Sequence, residues 1–168
     1  MIGAQLISAD SIAQRVALLG AEISRDYSGK TPLFVGILNA AAPFLADLTR
    51  AVSIPCELDF LAVTKFDARE GIRIEKDTAI SIEGRHVLLV DDAFDSGSTL
   101  QYVVRTLHSR APASLAVCTL FRRAHRQSAD ITIAYCGFEL PDVHVVGYGL
   151  DAGGRYRELP ALYGYESR

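Results

Sequence analysis

Between Val90 and Thr99 the chain runs Val90-Asp91-Asp92-Ala93-Phe94-Asp95-Ser96-Gly97-Ser98-Thr99, which sets three carboxylates beside a glycine and three hydroxyls. These residue types suit two tasks. Backbone N–H groups at the start of a helix, loosened by Gly97 and joined by the hydroxyls of Ser96, Ser98 and Thr99, cradle a phosphate dianion. Adjacent carboxylates repel a bare phosphate, so Asp91 and Asp92 need other work: accepting hydrogen bonds from a sugar diol, or holding Mg²⁺. A phosphorylated ribose satisfies both ends. The plain alternative is that Asp91, Asp92 and Asp95 end a strand and cap a helix. The full order of strand, DDxxDSGST and helix argues against it. The sequence contains no G-x-x-x-x-G-K-[ST] run, which excludes a Walker A loop.

The surrounding pattern says which elements would position these groups. Ser8, Asp10 or Ser11 can cap a helix that carries Ile12, Val16, Leu19 and Ile23 on one face, with Gly29 past its end. The apolar run Leu33 to Leu38 reads as a strand buried on both faces, and a second helix runs from Pro43 to about Val52. Glu57 to Thr64 is strand-like, and the charged segment Lys65 to Gly71 has neither period, so it reads as a mobile loop before a resumed strand at Ile72 to Ile74. His86 to Val90 is a further buried strand. Leu100, Val103, Val104 and Leu107 give Thr99 to Arg110 helical spacing. Strands then follow at Leu115 to Phe121, Ile131 to Phe138 and Val143 to Tyr148. Strands that alternate with helices imply an α/β fold with a mainly parallel sheet. In such a sheet ligands bind beyond the C-terminal strand ends, where Asp91 and Asp92 would sit.

With 168 residues, 49% of them hydrophobic, the chain suits one compact domain with a real core. A net charge of -3 argues against a general nucleic-acid or membrane-surface binder. Cys56, Cys118 and Cys136 are an odd number without CxxC spacing and read as reduced core residues, which favours the cytoplasm. The first twenty residues lack the basic start and apolar stretch of a signal peptide. No segment approaches the roughly 20 apolar residues that span a bilayer.

The segment Val87 to Leu100 resembles the diphosphoribose-binding motif of type I phosphoribosyltransferases. Within that group the chain is similar to the hypoxanthine-guanine phosphoribosyltransferases, because two more segments match in order. Val35-Gly36-Ile37-Leu38-Asn39-Ala40-Ala41-Ala42-Pro43 is similar to the first pyrophosphate loop and the helix after it. Gly137 to Asp151, with Arg155-Tyr156-Arg157-Glu158-Leu159-Pro160, is similar to the purine-binding end. The likeness covers nearly the whole chain. It implies the type I fold over residues 1–168 as a single domain: a central, mainly parallel twisted sheet flanked by helices, with a small hood formed by the chain termini.

The resemblance also implies a reaction, in which a nitrogen of hypoxanthine or guanine joins C1 of 5-phosphoribosyl 1-diphosphate (PRPP) and pyrophosphate leaves, giving IMP or GMP. Asp95 matches the general base that faces the imidazole side of the purine. Asp91 and Asp92 match residues that hold the ribose hydroxyls, directly or through Mg²⁺, and Asp95 to Thr99 match the 5-phosphate loop. Asp151 matches a metal-binding aspartate, and an ordinary turn acid before Ala152-Gly153-Gly154 is its alternative. Leu38, Asn39, Ala40 and Arg157 match the pyrophosphate site, and Arg123, His144 and Val145 the purine site. A homodimer or homotetramer is implied too.

Several positions leave the family pattern. Asn39 and Ala40 stand where the first loop carries lysine and glycine, and the resemblance suggests a cis peptide at Leu38-Asn39. Arg123 replaces a lysine that reads the exocyclic oxygen of a 6-oxopurine, and a planar fork is not a point charge. His144 stands where an aromatic ring stacks on the purine. Lys65-Phe66 replaces a Ser-Tyr pair in a mobile loop that looks short. Lys65 can supply the missing cation or stand as a solvated loop lysine. Two other readings remain: a phosphoribosyltransferase for xanthine or an unusual heterocycle, and a non-catalytic nucleotide-sensing regulator that binds RNA, as in the pyrimidine attenuator family.

Overall fold

The computed structural model describes residues 1–168 except 66–70, 96, 124–130, 167–168 and the side chain of Lys65. The expected mobile loop thus lies largely outside the described residues, as do Phe66 and Ser96. Strand β1 (Ile2–Ile7) precedes helix α1 (Ala9–Asp26), whose N-terminus is capped by Ser8 Oγ accepting from the Ser11 N–H at 3.1 Å. Ile12, Val16, Leu19 and Ile23, spaced three or four apart, are all buried.

Strand β2 (Leu33–Leu38) leads into helix α2 (Ala42–Ala51), which buries Phe44, Leu45 and Leu48. Next come β3 (Glu57–Lys65), β4 (Ile72–Lys76), β5 (His86–Phe94), helix α3 (Ser98–His108), β6 (Ser114–Arg122) and β7 (Tyr135–Glu139). They build a 6-stranded sheet in the order β4-β3-β2-β5-β6-β7. Every neighbouring pair is parallel except β3 with β4. One face packs Phe34, Leu88, Val90 and Cys118 against α1 and α2, and the other packs Leu33, Val35, Val87 and Leu89 against Leu100, Val103 and Leu107 of α3. Such coverage of both faces explains why β2 and the first half of β5 are continuous apolar runs rather than alternating ones.

A 3-stranded antiparallel sheet in the order β1-β9-β8 forms the hood, with β8 (Val145–Val146) and β9 (Leu162–Tyr165). Val145, Tyr148 and Leu162 join the core on the α1 and α2 side, which seats the hood on the body of the fold. This architecture is the α/β class expected from the sequence.

Some elements differ in detail. β4 is an antiparallel partner of β3, not its resumption, and residues 131–134 are not in a strand. The strand expected at Val143 to Tyr148 contracts to Val145–Val146, because Gly147, Tyr148 and Gly149 turn with positive φ. β5 continues through its carboxylates to Phe94, since Asp91 pairs with Thr119 and Ala93 with Phe121 of β6. Among the described residues no helix is long and apolar enough to cross a membrane.

Asp59 ties the edge of the sheet together. Its Oδ2 accepts from the N–H groups of Ala79 and Ile80 at 2.6 and 2.9 Å, and its Oδ1 from Phe60 N–H at 2.7 Å. The connection that leads from β4 back to β5 is thereby fastened to β3.

Candidate active site

Neighbouring strands β2 and β5 send their connections opposite ways: β2 goes to β3 through α2 on one face, and β5 to β6 through α3 on the other. Such a switch point leaves a crevice beyond the C-terminal strand ends. Here it is a cavity of about 480 Å³, lined by Leu38 at the end of β2 and Ala40 after it, Asp91 to Phe94 on β5 and Asp95 just beyond, Gly97 and Thr99 at the start of α3, and Asp151 from the hood side.

Each wall has a local cause. Gly97 is the N-cap of α3 with φ +81°, a left-handed conformation that a side chain disfavours, and as a glycine it brings no side chain of its own to cap the helix. The first turn of α3 therefore presents backbone amides at the cavity, an arrangement suited to an anion. The Leu38-Asn39 peptide is cis, as the resemblance suggests. Ala40 lines the cavity, while Asn39 is exposed outside its walls. Ser98 also lies outside them.

The carboxylates are not equivalent. Asp91 is buried, and its Oδ1 accepts from the Asp92 N–H at 3.0 Å. Burial pushes the Asp92 carboxyl up, while a hydrogen bond with Asp91 and the charge of Arg157 pull it the other way. Asp151 Oδ1 lies 2.8 Å from Arg157 Nη2, and its Oδ2 accepts from Gly154 N–H at 2.6 Å. Asp151 is thus both the turn acid and a cavity wall. Arg157 Nη1 also donates to the Gly149 carbonyl at 2.5 Å.

The donor set fits magnesium. Among the described residues no three His, Cys, Asp or Glu side chains cluster into a cage. Mg²⁺ does not need one, since it keeps waters and binds one or two carboxylates together with substrate phosphates. Asp91, Asp92 and Asp151 offer such separate hard oxygens around one cavity.

The residues assigned to a base pocket lie next to this cavity rather than in its wall. Arg123 N–H donates to Phe94 O at 2.9 Å, and its guanidinium donates through Nη1 to Pro141 O at 2.6 Å and through Nη2 to Val143 O at 2.7 Å. Arg123 therefore joins the end of β5 to the turn before His144. The His144 ring stands edge-on to Tyr165, centroids 5.2 Å apart, and Tyr165 lies 5.8 Å from Tyr156. His144, Tyr156 and Tyr165 border a second cavity with Ala152, Gly153 and Arg155. Val145 is buried in β8 behind them. The sequence reading did not single out Tyr156 and Tyr165, although the tyrosine-rich run Arg155 to Tyr165 carried the signal; Val63 and Leu100 of the first cavity gave none. Lys65 ends β3.

Comparison with known proteins agrees with this geometry. A family model described as the phosphoribosyl transferase domain matches residues 4–152. A hypoxanthine-guanine phosphoribosyltransferase of Mycobacterium tuberculosis is 42% identical over 164 residues, covering 92% of this chain and 81% of that protein. A crystal structure of a hypoxanthine-guanine phosphoribosyltransferase from Bacillus anthracis superposes with a TM-score of 0.96 at 30% identity, covering 99% of this chain and 100% of the other. The hypoxanthine phosphoribosyltransferase of Trypanosoma cruzi in complex with the product IMP gives a TM-score of 0.91 at 30% identity, over 95% and 92% of the two chains.

Proposed function

The chain belongs to the phosphoribosyl transferase family, and from that premise we propose that it is a purine-salvage enzyme that transfers 5-phosphoribosyl from PRPP to hypoxanthine or guanine. The observation that carries this reading is the single cavity at the β2/β5 switch point, which joins the two carboxylates of β5 and Asp95 just after it, the glycine-led start of α3, the turn after β2 and Asp151.

Each wall has a task in the transfer. The amides and hydroxyls from Asp95 to Thr99 take the 5-phosphate, and Asp91 and Asp92 accept hydrogen bonds from the ribose hydroxyls. The backbone of Leu38, Asn39 and Ala40, with Arg157, faces the diphosphate. The base nitrogen forms its bond to C1 as the C1–O bond breaks, and that electron pair leaves with pyrophosphate. Asp95 accepts the proton that the base gives up. Asp151 with Asp91 and Asp92 would hold Mg²⁺, which would supply charge neutralisation at the leaving group. Arg123, His144 and Val145 hold the purine, with His144 as the stacking ring.

The three free cysteines support a reducing, cytoplasmic setting. A homodimer or homotetramer, to be read by sedimentation, is the assembly that the likeness to the family suggests. The function is tested by incubating the chain with PRPP, Mg²⁺ and hypoxanthine, guanine, xanthine or adenine and separating the products. IMP and GMP are expected. A mononucleotide of another base alone, or no mononucleotide, would overturn the assignment.

A further inference from the structure

Two walls of the transfer cavity come from different parts of the fold. The turn at Leu38 to Ala40 belongs to the sheet, while Asp151 and its partner Arg157 belong to the chain around the hood. Their separation is set where the two parts touch, at Tyr148 and Gly149. Gly149 has φ +98°, and a Cβ there would lie 2.0 Å from the Ala40 carbonyl oxygen, so backbone lies directly on the turn. Tyr148 is held at φ +48°, a left-handed conformation unusual for a residue with a side chain. This backbone aims a buried phenol at α2, where the hydroxyl donates to Asp47 Oδ2 at 2.6 Å.

The same segment carries the other wall. Gly149 N–H donates to Arg157 O at 3.0 Å, Tyr148 N–H donates to Leu159 O at 2.8 Å, and Arg157 reaches back to Gly149 O at 2.5 Å and to Asp151 at 2.8 Å. A continuous chain of contacts therefore runs from Asp47 through Tyr148 and Gly149 to Arg157 and Asp151. Neither Tyr148 nor Asp47 lines the cavity.

We infer that Tyr148 and Asp47 form a positioning pair that fixes the diphosphate half of the site, by locking the hood segment bearing Arg157 and Asp151 against the turn after β2. The inference rests on the transferase reading above, and it deepens that reading by separating residues that touch the diphosphate from the pair that places them. Removing the phenol hydroxyl frees the segment to shift over the turn, and loss of diphosphate contacts made equally in the ground and transition states raises KM while kcat holds. The base half, held by Arg123 to Pro141 and Val143, has its own fastening.

The test compares wild type with Tyr148→Phe, which keeps the ring, and with Asp47→Asn, which keeps an acceptor. Tyr148→Phe is expected to raise the KM for PRPP about tenfold, the loss of one charge-assisted hydrogen bond. The KM for the base and kcat should change less than about threefold. Asp47→Asn, whose amide oxygen still accepts from the phenol, should retain most of the PRPP affinity. Equal changes in both KM values, or a lowered melting temperature with both KM values unchanged, would overturn the pairing. PRPP binding measured by calorimetry keeps the test independent of turnover: a wild type that binds PRPP but turns over no purine defeats the transferase reading, while the tenfold difference between variants still decides the pair.

Discussion

Arg157 meets Asp151 through Nη2 at 2.8 Å while its Nη1 donates to the Gly149 carbonyl, so one guanidinium bridges a cavity carboxylate and the backbone that rests on the turn after β2. A planar fork makes both contacts in one fixed geometry, which the compact ammonium of a lysine does not reproduce. Arg157→Lys is therefore expected to behave almost like Arg157→Ala in steady-state kinetics, with the KM for PRPP raised about tenfold or more in both. A lysine variant with wild-type KM would refute this role.

Arg123 gives both terminal nitrogens to the carbonyls of Pro141 and Val143, which makes it a brace for the turn before His144. Arg123→Met leaves those carbonyls without the guanidinium and should raise the KM for the purine about tenfold while the KM for PRPP stays near its original value. The opposite split would place Arg123 with the phosphate site.

Gly20 should reverse an ordinary rule. Alanine normally stabilises a helix interior over glycine by about 1 kcal/mol. A Cβ at Gly20, however, would lie 2.6 Å from the Ala51 carbonyl oxygen where α1 crosses α2. Gly20→Ala is expected to destabilise the fold by about 1–3 kcal/mol in urea unfolding, as overpacking does. A raised midpoint would show that the crossing yields.

Stability should fall in acid partly through Asp59. Burial pushes its carboxyl up, but the N–H groups of Ile80, Phe60 and Ala79 and the charge of Lys76 outweigh that and hold it below the usual value. A lowered folded pKa adds stability above the unfolded value of about 3.9, and that stability is lost as pH falls through the folded value. Thermal melts should show Asp59→Asn below wild type at pH 7, with the gap closing towards pH 3. A gap independent of pH would remove the carboxylate charge from the account.

The helical face of α1, the buried run of β2 and the carboxylate segment of β5 were legible because local periodicity and composition coincide there with tertiary packing. β1 and β9 were not legible. The residues of β1 are mostly exposed and pair with a four-residue strand at the far end of the sequence, so no local pattern marks either. The grouping of Asp91, Asp92, Asp95, Gly97 and Thr99 could be read along one stretch of chain, as could their place at a strand end. What lay beyond reading was side-chain bonding across long separations: Tyr148 to Asp47, Arg123 to Pro141 and Val143, and Asp59 to Ala79 and Ile80. Residue type announces that such groups can bond, and only the fold selects their partners.

The central claim, that the switch-point cavity transfers phosphoribose with Asp95 as base, is tested most directly by purine-dependent pyrophosphate release from PRPP and Mg²⁺ in wild type and Asp95→Asn. The account predicts turnover with hypoxanthine or guanine in wild type and a fall of roughly 10²–10⁴-fold in the variant, with PRPP still bound. Undiminished turnover in Asp95→Asn, or none with any purine in wild type, would contradict it.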